Sequence, residues 1–296
     1  MDLEKLTTEN RNERSMNLHK QSALQIIQLM SEEDAKVPVA IQRVANDIAR
    51  AVDAIVERLR KGGRLIYIGA GTSGRLGILD AAECVPTFGV SPELVVGKIA
   101  GGDRAILKAV EGAEDSEQFG EDDLKNIHLS EHDTVVGIAA SGRTPYVIGA
   151  LKYAATVGAK RVSLSCNAHA EISQFAEIPI EVVVGPEVLT GSTRLKAGTA
   201  QKLVLNMLST ASMIGIGKVY KNLMVDVQPT NEKLRVRAIR IIQQATDCAA
   251  DIAEKTFIAA DENVKIAIMM ILLNASKEEA TLTLQKNNDF IQDPTH

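Results

Sequence analysis

Gly69-Ala70-Gly71-Thr72-Ser73-Gly74 follows the strand-forming run Leu65-Ile66-Tyr67-Ile68 and passes at once into a helical pattern at Arg75-Leu76 and Ile78-Leu79. A loop of glycines and hydroxyls lets backbone N–H groups close on an oxyanion. The start of the following helix adds partial positive charge, and Thr72 and Ser73 add donors. The chemistry this favours is capture of an anionic small molecule, a phosphate ester first of all. The competing reading is a turn rich in glycine only because it is tight, since Gly69, Gly71 and Gly74 match no more than a lone G-x-G-x-x-G. A dinucleotide site wants an acidic residue about 20 positions on, at the tip of the next strand. Here Leu94-Val95-Val96 leads into Gly97-Lys98 instead, and no Gly-Lys-Ser/Thr of a nucleotide P-loop follows the glycines.

A second turn repeats the chemistry. Ala139-Ala140-Ser141-Gly142-Arg143-Thr144-Pro145 leaves the strand Thr134 to Ile138 and enters a helix from Tyr146 to Thr156. Its plain alternative is an N-cap, a position Ser and Thr favour whatever the function. Two strand exits of the same composition, at Thr72-Ser73 and at Ser141 to Thr144, are the main argument for a phosphate site.

Acid/base work falls to carboxylates, because no nucleophile with a histidine partner is evident. Glu83 lies among Ile78-Leu79, Ala81-Ala82 and Cys84-Val85-Pro86, surroundings expected to raise its pKa toward that of a working acid. Glu114 lies in the cluster Glu111-Gly112-Ala113-Glu114-Asp115. Taken singly, each also reads as a surface or capping residue. His128, Glu131 and His132 match H-x-x-E-H, but two positions later the strand at Thr134 begins, so the run reads as a polar turn and no metal is expected.

These residues need a frame, and strand and helix alternate to supply one. Strands are expected at 65–68, 94–96, 134–138, 161–165 and 178–184, with helices between them, which calls for a parallel doubly wound α/β sheet whose ligands sit at the carboxyl strand ends. Gly101-Gly102-Asp103 is expected to open a helix running to Val110, and Gly191-Ser192-Thr193 to start a long one. Before the first strand come an extended arm (1 to about 20) ordered only by contact with something else, a helix from Ser22 to Met30, and a longer one after Pro38. The pattern beyond Val227 is purely helical, three or four short helices. The expected division is 1–60 arm and helices, 61–226 the parallel-sheet domain that carries the phosphate turns, and 227–296 a small C-terminal helical domain.

In its 296 residues, hydrophobic side chains make up 45% and charged ones 24%, ordinary for a globular protein. The net charge of −5, the 3% aromatic content and the absence of Trp argue against a nucleic-acid binder, so the basic run Lys233, Arg235, Arg237 and Arg240 reads as a solvated helix face. The polar start MDLEKLTTENRNERS is neither a signal peptide nor a membrane span. Cys84, Cys166 and Cys248 look like reduced thiols of a cytoplasmic protein.

The runs GPEVLTGSTRLKAGTAQK (185–202), IGAGTSGRLGILDAAECVPTFG and GIAASGRTPYV, with AVEGAEDS and NLMVDVQPTNEKL, closely resemble the bacterial N-acetylmuramic acid 6-phosphate etherases. That family belongs to the sugar isomerase (SIS) group and is related to the glucokinase regulatory proteins. The resemblance covers essentially the whole length. It implies a flavodoxin-like five-stranded fold, a homodimer with sites near the subunit interface, and a phosphosugar reaction needing neither metal nor nucleotide cofactor. The D-lactyl ether at carbon 3 is removed to give N-acetylglucosamine 6-phosphate and D-lactate. The family's acid/base glutamates fall on Glu83, donor to lactate, and Glu114, the base; phosphate contacts fall on Thr72, Ser73, Ser141, Gly142 and Thr144. Two rivals use the same frame: a phosphosugar aldose-ketose isomerase, which would release no lactate, and a non-catalytic sugar-phosphate sensor, which would leave its ligand unchanged. Glu83 also poses a geometric question, because ten helical residues beyond Ser73 amount to about 15 Å. Either the helix begins later or Glu83 serves the neighbouring subunit.

Overall fold

β1 (Leu65–Gly69) is buried along its whole length, so its sequence is an unbroken apolar run, as in a sheet whose two faces are both covered. The structure, a computed structural model, describes residues 6–108, 110–229 and 231–292. It divides into two units, 1–82 with 93–209, and 83–92 with 210–296.

The first unit opens with α1 (Ala23–Asp34), α2 (Lys36–Gln42) and α3 (Ala45–Arg60). After β1 come α4 (Gly71–Phe88), whose start belongs here, β2 (Val95–Ile99), α5 (Arg104–Leu107), α6 (Glu117–Asn126) and β3 (Thr134–Ile138). There follow α7 (Pro145–Val157), β4 (Lys160–Ser165), β5 (Ile178–Glu181) and most of α8 (Lys196–Gly215). The strands are all parallel, in the order β2-β1-β3-β4-β5, the flavodoxin-like doubly wound sheet. The winding direction therefore reverses between β1 and β3, which are neighbours with Gly69 beside Ile138. Behind this edge α7 buries Tyr146, Val147 and Leu151 against Ile66, Ile68 and Val135. α6 and α7 approach so closely that a Cβ on Gly120 would lie 1.9 Å from the Tyr146 carbonyl oxygen, so no larger residue fits.

Several elements depart from expectation. The arm before α1 is not extended and waiting: Leu6 and Thr8 are buried on their own unit. The Thr7 hydroxyl donates to Asn167 Oδ1 at 2.8 Å, and Asn167 Nδ2 donates to Thr8 Oγ1 at 2.9 Å. Such side-chain anchoring needs no apolar period. The single helix expected after Pro38 is two, broken at Arg43-Val44, and Pro38 lies inside the first turn of α2, where a missing N–H costs nothing. Between Gly101-Gly102, both at positive φ, and exposed Leu107, α5 is one turn only. α8 starts at Lys196, after a turn at Gly191-Ser192-Thr193.

In the second unit β6 (Val219–Tyr220) and β7 (Leu223–Met224) form a small antiparallel hairpin, which the apolar pattern had not announced. Beyond it the described residues form four helices: α9 (Glu232–Thr246), α10 (Ala250–Ala259) and α11 (Val264–Leu273) pack around Ile242, Phe257 and Ile268, and α12 (Lys277–Lys286) packs on Met269 through Ala280 and Leu284. Lys233, Arg237 and Arg240 face solvent, while Arg235 lies over the Phe257 ring and pairs with Glu262. Among the described residues no helix is long and apolar enough to cross a membrane.

Candidate active site

α4 begins at Gly71, so Thr72 and Ser73 occupy a first helical turn, where backbone N–H groups lack intrahelical partners and anions are favoured. The glycines divide their labour. A Cβ on Gly74 would lie 2.6 Å from both the Gly69 carbonyl oxygen and Ile99 Cγ1, so tight packing alone accounts for it. Gly71 has φ +52 and open space where a side chain would be, the exposed end of the turn. Thr72 is half-buried; Ser73 is buried and its Oγ donates to Gln201 Oε1 on α8 at 3.0 Å.

The second turn leaves β3, the strand next to β1, at the same carboxyl edge and at the point where the winding reverses. Ser141, half-buried, accepts a bond from the Arg143 N–H at 3.3 Å, so its own proton remains to give. Gly142 takes φ +73 with Ala170 against it. Thr144 stands at the N-cap position of α7, but its hydroxyl makes no capping bond; its carbonyl takes the first helical N–H groups, from Val147 and Ile148. The N-cap reading therefore does not use this hydroxyl.

Glu114 sits in a single 3-10 turn, Ala113–Asp115, introduced by Gly112 at φ +74. It lines a cleft of about 230 Å³ with Gly71, Arg75, Ala105, Glu111 and Gly112. The structure thus gathers Glu114 and the open end of the β1 turn into one concavity. Arg75, which sequence reasoning passed over, builds its wall by donating to the Ala105 and Ile106 carbonyls at 2.8 and 2.7 Å. An arginine directly after the glycine-and-hydroxyl turn, at the fifth position of α4, was the signal that could have found it. Glu83 stands apart: it lies ten residues beyond Ser73 on the same unbroken helix and is exposed, as is Leu79, in place of the apolar enclosure expected for it. His128 and His132 lie in the turn before β3.

Buried polar groups that local patterns do not reveal tie these elements together. Asp80 accepts the Tyr67 hydroxyl at 2.9 Å, Asn206 Nδ2 at 3.0 Å and Ser209 Oγ at 3.1 Å, tying α4 to β1 and α8. Burial raises its carboxyl against those three bonds. At the head of α8, Glu187 accepts the Lys196 and Ala197 N–H groups at 2.9 and 3.0 Å, and burial raises it too. Lys196 Nζ meets Glu33 at 2.7 Å with both side chains buried. Burial alone would raise Glu33, but bonds from Lys196, Lys36 and Arg14 outweigh it and hold the carboxyl at about 2. Cys166 is pushed up to about 12, first by burial and then by Glu187, which leaves it an inert thiol.

The glucokinase regulatory protein N-terminal SIS domain matches residues 47–155, and the SIS domain matches residues 109–211. The N-acetylmuramic acid 6-phosphate etherase 2 of Lactiplantibacillus plantarum is 65% identical over 99% of each chain. The protein of the same name from Enterococcus faecalis is 62% identical, again over 99% of each. Among solved structures, the phosphoheptose isomerase GmhA from Neisseria gonorrhoeae shares the fold, with a TM-score of 0.51 at 16% identity over 64% of this chain and 99% of its own.

Proposed function

The chain belongs to the N-acetylmuramic acid 6-phosphate etherases, a family built on the SIS domain, and from that membership we propose how its own residues carry the reaction. It is a carbon–oxygen lyase that cleaves the D-lactyl ether of N-acetylmuramic acid 6-phosphate, giving N-acetylglucosamine 6-phosphate and D-lactate in the recycling of cell-wall sugars. An ether resists direct displacement, but opening the sugar ring creates an aldehyde at carbon 1 that acidifies the proton on carbon 2. Glu114 takes that proton and Glu83 protonates the departing lactate oxygen, leaving an unsaturated aldehyde. Water then adds at carbon 3 with the two roles reversed. Thr72, Ser73, Ser141, Gly142 and Thr144 hold the phosphoryl group where β1 and β3 end. The observation that carries this reading is the single cleft shared by Glu114 and Gly71.

The same reading makes the protein a cytoplasmic homodimer. α4 starts at Gly71, so a later helix start does not answer the geometric question raised by the ten positions between Ser73 and Glu83. Glu83 therefore serves the site of the second subunit, and exposed Leu79, Ala82 and Pro86 beside it are fit for a subunit contact. Turnover in heavy-oxygen water tests the chemistry. Elimination and rehydration place the label in the carbon 3 hydroxyl of the sugar; label in D-lactate would mean attack on the lactyl carbon and overturn the scheme.

A further inference from the structure

Gln201, fully buried on α8, is bonded at one end only. Its Oε1 accepts the Ser73 hydroxyl at 3.0 Å, while its Nε2, buried as well, meets no hydrogen-bond partner among the described residues. An amide nitrogen carries two donors, and burying them without an acceptor is unfavourable. In this arrangement Ser73 spends its one proton on the glutamine and offers only lone pairs elsewhere. A phosphoryl group, which accepts and does not donate, gains nothing from such a hydroxyl.

A half turn about the last torsion of the glutamine exchanges the two ends of the amide with little change of shape. Nε2 then donates to Ser73 Oγ, and the Ser73 proton is released to point elsewhere. We propose that Gln201 is a positioning residue with two settings: carbonyl toward Ser73, as in this structure, and N–H toward Ser73 when an anion is held. The chain of donors then runs from Gln201 through Ser73 to the anion, each bond polarising the next. Gln201 does not touch substrate; it decides whether Ser73 can. The inference rests on Ser73 being a phosphate contact.

The test separates the two ideas. Gln201→Met keeps the length without donor or acceptor, and Gln201→Glu keeps the shape but only accepts when ionised, so it holds the Ser73 proton. Gln201→Met is expected to raise KM for the phosphosugar, and the inhibition constant of inorganic phosphate with it, about tenfold, with kcat within about twofold. Gln201→Glu raises both further. In a Ser73→Ala background, Gln201→Met changes KM no more, because the hydroxyl it aims is gone. Equal rises in KM with and without that hydroxyl, or a loss confined to kcat, would overturn the proposal. Ser73→Ala leaving KM and phosphate inhibition unchanged would instead sink the reading of Ser73 itself, and the proposal with it. Should the Met variant fail to fold, the nearly isosteric Glu variant carries the same comparison.

Discussion

The head of α8 and the exits of β1, β2 and β3 belong to one unit and draw on overlapping residue types, yet they differ in how those residues are paired. At the head of α8, Glu33 and Lys196 are buried and matched, with Arg14 and Lys36 supplying further bonds. Glu187 meanwhile fills the helix N-terminus with a carboxylate of the chain's own. The buried charges there are answered from within the chain. At the strand exits Glu114 is exposed, Thr144 makes no cap bond, Ser141 accepts but keeps its proton, and Gly71 leaves open space. The difference teaches that a buried charge answered on every side is architecture. Exposed polar groups with donors still to give, of which Glu114 lines the cleft at Gly71 and Ser141 and Thr144 do not, are where chemistry is to be sought.

The sharpest way to break the comparison is at the carboxylates. Glu114→Gln and Glu83→Gln should each lower turnover by about 10² to 10⁴ while inorganic phosphate still inhibits the residual rate with an unchanged constant. Mixing the two inactive variants should then restore activity. A mixed dimer regains one site of two and half the dimers are mixed, so about a quarter of the wild-type rate returns. No recovery on mixing would place both glutamates in one subunit. The next largest effect lies at α8: Glu33→Gln leaves Lys196 buried without its partner and should cost about 3 kcal/mol in stability. Activity per folded molecule should stay close to normal. The pH dependence follows with a definite sign. The folded carboxyl lies at about 2 against an ordinary 4.5, so its stabilisation is complete above about 4.5 and is lost as pH falls toward 2. Thermal midpoints taken across that window should slope in the wild type and flatten in Glu33→Gln; parallel slopes would remove Glu33 from the account.

What could be read from sequence followed from locality. A strand buried on both faces is largely apolar, so β1 and β3 stood out, and the turns leaving them showed their glycines and hydroxyls in six or seven consecutive residues. The amphipathic α9 and its successors were legible for the same reason. What stayed hidden depends on partners far away in the chain. Glu33 and Lys196 are separated by 163 positions and Ser73 and Gln201 by 128, so neither pair leaves a local pattern. The arm at residues 6–20 was misread because Asn167, not a periodic apolar face, holds it. The apolar neighbours of Glu83 in sequence gave the wrong environment, because a helix turns successive residues to different sides: Ala81 and Cys84 go inward while Glu83 and Pro86 face out.

The smallest effect is the most discriminating, because Thr144 stands in both categories at once. Its backbone is that of an N-cap, extended at φ −60 and ψ 116 with Pro145 next in the helix. Were its hydroxyl capping α7, Thr144→Ala would cost about 1 kcal/mol of stability and leave substrate affinity alone. The hydroxyl makes no such bond, and on the present reading it donates to a charged phosphoryl oxygen, an interaction whose loss raises KM by about tenfold or more. Thr144→Ala should therefore shift KM and the phosphate inhibition constant together, with the thermal midpoint nearly unmoved, and Thr144→Ser should restore both constants. A fall in midpoint with KM unchanged would move Thr144 out of the phosphate site and into the scaffold, leaving the β3 turn represented by Ser141 and Gly142 alone.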